Sequence, residues 1–332
     1  MANGWLSQYV SIMELTSIIS QRNIEKSSSF DLVYEWEDML AQTIGIPCVR
    51  DNGLRMNRWI KRLRLSRLFI TDKNAFVFKM STFGHVGYDK SNIVPFVIDF
   101  HLEESQFEWF YKTYSKHKVV FISNKEAFDL LKSKHCPLNI RHLALSISDK
   151  YRITPNTSYE KKYDLVLMGR QNPVLLGYLE EYAKQHPDFV YVYRNEVNGH
   201  YHYYVSTGEY VGDIINRHDY MNLMRQARVG LYATPGMDGG EERTRGFNQV
   251  TPRFLEYVSC GCHIIARYPE NSDTKYYELE KFSPNIETYE QFESAMNSAL
   301  SKDVDMDYYS NYLEKHYTSV RAKELTNVLE KI

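Results

Sequence analysis

The sequence predicts an α/β protein of two domains, each with a parallel sheet. Three observations carry that expectation. Short apolar runs bounded by turn residues, such as IVPFVIDF at 93–100 and YDLVLM at 163–168, read as buried strands. Helical stretches alternate with them, and this strand–helix–strand rhythm is that of a parallel sheet. The length of 332 residues accommodates two cores of ordinary size.

Residues 5–25 carry the apolar spacing of an amphipathic helix, which breaks at Ser27-Ser28-Ser29. Asp31-Leu32-Val33-Tyr34 then reads as a short buried strand, 37–43 as a helix, and Gly45-Ile46-Pro47-Cys48-Val49 as a turn into another strand. The run RMNRWIKRLRLSR at 55–67 is the most basic in the chain. It fits a solvated basic face held down by its apolar stripe, which is the commoner origin. It also fits an interfacial helix on anionic lipid, or a site for an anionic or sugar acceptor. The strand at 93–100 ends in His101-Leu102-Glu103-Glu104, a polar cluster at the carboxyl end of a parallel strand, where α/β sheets seat ligands. Glu103 and Glu104 suit a base for a hydroxyl, or more simply the acidic first turn of the next helix. A strand at 118–124, a helix at 125–134 and a polar stretch without apolar period at 149–162 follow; the last reads as the linker. The expected units are 1–152, 153–305 and a final helical segment 306–332.

The second half opens with the strand of 163–168 and a turn at Gly169-Arg170. A helix at 179–185, a strand at 189–193, a polar and aromatic insertion at 195–207, a short strand at 210–215 and a helix at 219–228 lead to a strand at 229–233. The loop TPGMDGGEERTRGFN at 234–248 is rich in glycine and charge, so mobility and ordering on ligand binding are expected. The stretch RGFNQVTPRFLEYVSCGCHIIA at 245–266 organises this half. Thr251-Pro252 opens a helix, Phe254, Leu255 and Val258 give it an apolar flank, Gly261 stops it, and His263-Ile264-Ile265-Ala266 is a strand. A helix start suits a phosphate, Arg245 and Arg253 add charge, and Glu256 can accept hydrogen bonds from sugar hydroxyls. Residues 308–332 read as one long helix, and Asp303, Asp305 and Asp307 as its capping acids.

Composition excludes some classes of function. A net charge of −2 offers no basic field for nucleic acid. No run approaches the ~18 apolar residues of a membrane span, and the first fifteen residues lack the plan of a signal peptide. Four cysteines suit a reducing cytoplasm, and Cys260-Gly261-Cys262 has no further ligands nearby, so a structural role is expected. The Asn156-Thr157-Ser158 sequon carries no meaning without export. The 27 tyrosines suit stacking on sugars or bases, or simply half-buried strands.

The 245–266 segment resembles the donor-binding segment of GT-B glycosyltransferases, especially the retaining group 1 families with a spaced pair of glutamates. Glu256 matches the second glutamate, and Cys260-Gly261 the small residue and glycine ending that helix. Asn248 stands where the first glutamate falls, a departure. Gly169-Arg170 resembles the turn where backbone and a basic residue meet the donor diphosphate; the lysine that often follows is absent, with Arg243 and Arg245 the candidates to replace its charge. His101 occupies the position of the histidine facing the donor sugar. The likeness covers the second half and the His101 strand; the glycine-rich turn of many amino-terminal domains is missing.

The resemblance implies two Rossmann-like domains facing a cleft, with the carboxyl-terminal helix crossing back to the first. It implies transfer of a sugar, with retention, from a nucleotide diphosphate sugar to a glycan or lipid-linked glycan hydroxyl, as in bacterial-type surface polysaccharide or glycolipid assembly. No metal or further cofactor is expected, and the location would be cytoplasmic, with contact at the inner membrane face if 55–67 is interfacial. His101 and Glu256 are the catalytic candidates. Gly169, Arg170, Arg245, Asn248, Val250, Thr251, Arg253 and Glu256 are the donor-site candidates. Two other readings stay open: a scaffold that binds nucleotide or sugar without turnover, and a GT-B sugar-nucleotide epimerase, which would need two carboxylates over the sugar.

Overall fold

A computed structural model of the chain describes residues 13–22, 25, 28–50, 74–82, 91–197 and 200–332. The basic run 55–67 lies outside the described residues. The first half forms a sheet from β1 (Ser17–Ser20), β2 (Cys48–Arg50), β3 (Ala75–Ser81), β4 (Ile93–Asp99), β5 (Val120–Ile122) and β6 (Ile140–His142). Its order is β2-β1-β3-β4-β5-β6, with every neighbouring pair parallel. In β4 every residue from Ile93 to Ile98 is buried, as a strand covered on both faces must be.

Two expectations for the amino-terminal stretch are overturned. Residues 17–20 are not helical: all four are buried in β1 between β2 and β3. Four residues in a central parallel strand carry no alternation to separate them from one face of a helix. Asp31-Leu32-Val33-Tyr34 is not a strand but part of α1 (Ser28–Ile44). The deciding pattern is Val33, Trp36 and Leu40, three buried residues at helical spacing.

The chain returns from β4 through a 3₁₀ turn at Glu104–Gln106 into α2 (Phe107–Tyr114), and α3 (Lys125–Ser133) follows β5. Glu103 is the N-cap of the 3₁₀ turn, its amide paired with Gln106 in a capping box, so the acids here do open a helix.

The second sheet contains β7 (Tyr163–Val166), β8 (Tyr191–Val197), β9 (His200–Val205), β10 (Tyr210–Asp213), β11 (Ala227–Ala233) and β12 (His263–Arg267). The order is β10-β9-β8-β7-β11-β12. The four strands from β8 to β12 are parallel, whereas β9 and β10 are antiparallel additions. The stretch 195–207 is therefore no insertion but an arm of the sheet, its aromatics paired across strands as Tyr193 with Tyr204 and Arg194 with Tyr203. The accompanying helices are α4 (Pro173–Gln185), α5 (Arg217–Arg225), α6 (Pro252–Ser259), α7 (Ser272–Tyr276) and α8 (Tyr289–Ser301).

The carboxyl-terminal segment is two helices rather than one, α9 (Met306–Leu313) and α10 (Thr318–Leu329). Asp305 caps α9 by accepting from Tyr308 N at 2.9 Å. The break serves the crossover between halves. Ile147 N donates to His316 O at 3.0 Å, and Thr318 N donates to Ile147 O at 2.9 Å. A continuous helix would have consumed those backbone groups itself. Beyond the break, α10 lays Ala322, Leu325 and Leu329 onto the first core with Val33, Trp36 and Leu40 of α1. No described helix is long and apolar enough to cross a membrane.

The halves meet a second time at the start of α3. Asp273 Oδ1 accepts from Lys125 N at 2.8 Å, and its Oδ2 accepts from Val250 N. Glu126 Oε2 accepts from Asn248 N at 3.0 Å, and Gln249 Nε2 donates to Ser123 Oγ at 2.6 Å. Phe247 enters the first-half aromatic cluster, edge-on to Phe100 at 6.2 Å. Asp273→Ala leaves two amides without acceptors in this joint and should cost roughly 2–4 kcal/mol. Urea unfolding followed by fluorescence checks this, and an unchanged midpoint would mean that the halves are held by other contacts.

Candidate active site

The carboxyl ends of both sheets open onto one cleft of about 430 Å³, within the range of small-molecule sites. The first half contributes Asp31 and Leu32 of α1, and Asp99 and His101 at the end of β4. The second half contributes the Gly169-Arg170 turn, the β8–β9 arm through Arg194, Tyr201 and Tyr203, and Arg217 and Tyr220 of α5. The loop after β11 adds Glu241 and Arg243, and the start of α6 adds Thr251, Pro252, Arg253 and Glu256.

Thr251 is the N-cap of α6 in extended geometry, with Pro252 in the first turn, as the sequence indicates. The side chain of Thr251 makes no capping bond; its amide donates to Tyr232 Oη at 2.9 Å, and Phe254 N donates to Thr251 O at 3.1 Å. Gly169 has φ +64°, and a Cβ there would lie 2.2 Å from Arg253 Nη2. The left-handed φ favours glycine, and the Arg253 guanidinium lies against this turn, with Nη1 donating to Arg170 O at 2.8 Å. The approach expected of a diphosphate is thus made here by an arginine.

Glu241 sits between two guanidiniums. It pairs with Arg170, and with Arg243 through Nε at 2.8 Å and Nη2 at 3.2 Å. Planar forks converging on one anion form the arrangement that recognises carboxylate and phosphate alike. Glu256 is 3% exposed, and its Oε1 is held 2.5 Å from Arg217 Nη2. Arg217 Nε lies 3.5 Å from Glu35 Oε2, and Glu35 Oε1 accepts from Tyr151 Oη at 2.7 Å and pairs with Lys150. Glu256 lines the cleft, and no described hydrogen bond uses its Oε2.

Burial pushes the His101 imidazole down to about 4, with help from Arg243 and Arg245. It is neutral near pH 7, able to donate and accept a hydrogen bond but not to supply charge. Burial raises the Asp99 carboxyl to about 6 against the pull of Arg243.

The structure brings His101, Gly169, Arg170, Thr251, Arg253 and Glu256 to the cleft. Three donor-site candidates stand outside its lining. Arg245, in left-handed geometry at φ +53°, reaches Gln106 and lies 3.2 Å from Glu103 in the first half. Asn248 is buried, its Oδ1 accepting from Thr234 Oγ1 at 2.8 Å and its Nδ2 donating to Gly246 O at 2.9 Å, so both ends of its side-chain amide are engaged. Val250 is buried and its amide is held by Asp273. The joint between the halves claims Arg245 and the amides of Asn248 and Val250, while the Asn248 side chain is held by its own loop and Thr234. Glu103 and Glu104 do not line the cleft either: Glu104 pairs with Lys134 at 2.8 Å. Sequence reasoning missed Asp99, Arg194, Arg217 and Glu241. Only Asp99 carried a signal, as the last residue of a strand whose end was already suspect. Cys260 and Cys262 are buried free thiols. Among the described residues, no three His, Cys, Asp or Glu side chains are grouped to hold a metal.

Two solved structures share this architecture. A chain of the GtfA/B complex superposes with a TM-score of 0.50 at 12% identity, over 82% of this chain and 61% of that one. This chain thus spans about three fifths of the length of that relative. A proposed UDP-N-acetylglucosamine 2-epimerase from Listeria monocytogenes superposes with a TM-score of 0.50 at 12% identity, over 93% of this chain and 94% of that one. The fold is GT-B. No protein-family model matches the chain, and no curated protein does. At such identities the likeness speaks for the GT-B fold alone, and the site stands on its own geometry.

Removing the charge that sits between Arg170 and Arg243 should free both for a ligand. Glu241→Gln is expected to tighten inorganic pyrophosphate binding by about two- to fivefold, the size of a partly exposed ion pair. Titration calorimetry reads this directly, and weaker binding in the variant would place the anion elsewhere.

Proposed function

We propose that this chain is a nucleotide-sugar-dependent glycosyltransferase that moves a sugar to a hydroxyl of a glycan or lipid-linked glycan. One observation carries the reading. The Gly169-Arg170 turn, Arg243, Arg253 and the opening of α6 converge at one end of the cleft, with a buried carboxylate, Glu256, one turn further along. Departure of a nucleotide places negative charge on its diphosphate, and preorganised guanidiniums with a helix start are the groups that stabilise it. On this reading Arg170 and Arg243 exchange Glu241 for the diphosphate, and Glu256 Oε2 accepts from the ribose hydroxyls while Arg217 holds its other oxygen. His101, a neutral imidazole on the opposite wall, hydrogen-bonds the sugar. One structure of the same fold bears the name of an enzyme acting on UDP-N-acetylglucosamine, which makes a uridine nucleotide sugar the first donor to test.

The resemblance to retaining families rests on paired glutamates, and the Asn248 side chain in the first position is spent within its own loop and on Thr234. Support for retention from that pair is therefore lost, and the outcome at the anomeric carbon must come from other groups in the cleft.

Incubation with UDP-glucose, UDP-N-acetylglucosamine and GDP-mannose in the presence of simple glycosides should release nucleotide diphosphate from at least one donor. Turnover in excess EDTA is expected to match that without chelator, because arginines meet the charge. Nucleotide affinity without any turnover would instead establish the binding-scaffold reading. Glu256→Ala should weaken nucleotide affinity measured by thermal shift, whereas His101→Ala should slow transfer and leave that affinity alone; the reverse pattern would exchange their roles. Membrane contact through 55–67 is likewise a proposal, tested by liposome flotation with Lys61, Arg62 and Arg64 neutralised. Undiminished flotation of that variant would dismiss it.

A further inference from the structure

Among the described residues, four carboxylates line the cleft: Asp31, Asp99, Glu241 and Glu256. Two of them are occupied, Glu241 by Arg170 and Arg243, and Glu256 by Arg217. Asp31 lies in the first turn of α1, on a helix rather than at a strand end, and its carboxylate has no described hydrogen bond or ion pair. Asp99 alone of the four stands at the carboxyl end of a parallel strand. It is partly buried there, and its carboxylate takes part in no described hydrogen bond or ion pair.

Its position is rigid. Asp99 registers with Ser81 of β3 on one side, and on the other Ser123 N donates to Val97 O at 3.0 Å while Ser123 Oγ donates to Ile98 O. Of the arginines that suit a diphosphate, Arg170 and Arg253 belong to the second half's turn and helix, and Arg243, on the loop after β11, acts on both Arg170 and Asp99. A sugar held between the walls would have its leaving group toward the second half and Asp99 toward its other face.

We propose that Asp99 is the base that takes the proton of the attacking hydroxyl, so that the sugar is transferred with inversion at its anomeric carbon. This rests on the transferase reading above. In the step, the acceptor oxygen forms its bond to the anomeric carbon as its proton passes to a carboxylate oxygen of Asp99. The bond from the anomeric carbon to the diphosphate oxygen breaks, and its electron pair leaves with the diphosphate. The charged group acting on Asp99 is Arg243 from the loop after β11, and neutral His101, two residues on, lines the same cleft. Burial raises the Asp99 carboxyl to about 6, close to the range in which a carboxylate is both ionised and basic near neutral pH.

The test needs no knowledge of the natural acceptor. Wild-type protein is incubated with UDP-glucose, UDP-N-acetylglucosamine and GDP-mannose, with water and methyl glycosides as acceptors. Proton NMR identifies the anomer formed first. The expected product has the configuration opposite to that of the donor. Asp99→Asn should lower kcat by about 10²–10⁴-fold, the span of general-base catalysis, with nucleotide affinity unchanged. The rise in wild-type kcat through about pH 6 should be absent from the variant. Retained configuration in the wild-type product, or turnover in Asp99→Asn within about threefold of wild type, overturns the base and leaves the transferase reading standing. The first of these outcomes needs no variant to fold. Absence of turnover with every donor overturns both.

Discussion

The cleft depends on one buried carboxylate. Asp273 takes the opening amide of α3 from the first half and the amide of Val250, just before α6, from the second. A carboxylate is tolerated inside a protein only when hydrogen-bonded, and the amide at a helix start is among its best partners. Phe247 adds an apolar anchor within the first-half aromatic cluster. Because 247–250 is held at both ends, the start of α6 is set against the end of β4. Thr251 and Arg253 therefore share a gap with Asp99 and His101. The carboxyl-terminal helix repeats the constraint elsewhere, with the crossover residues 144–147 bonded between α1 and the break before α10.

Within that frame, the charges of the free protein are largely spent on each other. The chain of Glu256, Arg217 and Glu35 runs from the donor-side helix to α1 across the gap, so the carboxylate that resembles a ribose ligand is also a tie between halves. Glu241 occupies the forks of Arg170 and Arg243 in the same way. A bound anion would be measured against these internal partners, and its net gain is the difference between two ion pairs. The Asp99 carboxylate has no described hydrogen bond or ion pair, and it stands at a strand end inside the cleft.

Particular residues show what could be read in advance. The strands around Val94 and Leu165 were legible because a strand covered on both faces is apolar throughout and needs no partner to declare itself. The helix opening at Thr251-Pro252 and its stop near Gly261 were legible because caps are local chemistry. Residues 17–20 and 31–34 were not, since four apolar or small residues suit a strand or one helical face equally. The aromatic stretch 195–207 looked like an insertion because its alternation has meaning only opposite β8. Asn248 read as an altered sugar contact, whereas its partners are a threonine, a carbonyl and a carboxylate brought together by folding.

The sequence by itself determined the layered α/β plan, the strand ends that carry His101 and Gly169-Arg170, and the helix that carries Glu256. Each of those follows from periodicity or capping within a short stretch of chain. Only the tertiary structure decided which side chains meet in the gap. Arg253 lies against the Gly169 turn, Arg217 reaches Glu256 from another helix, Arg245 turns to the first half, and the Asp99 carboxylate has no hydrogen-bond partner among the described residues. Those outcomes depend on pairs of residues tens to hundreds of positions apart, and no local pattern encodes the distance between them.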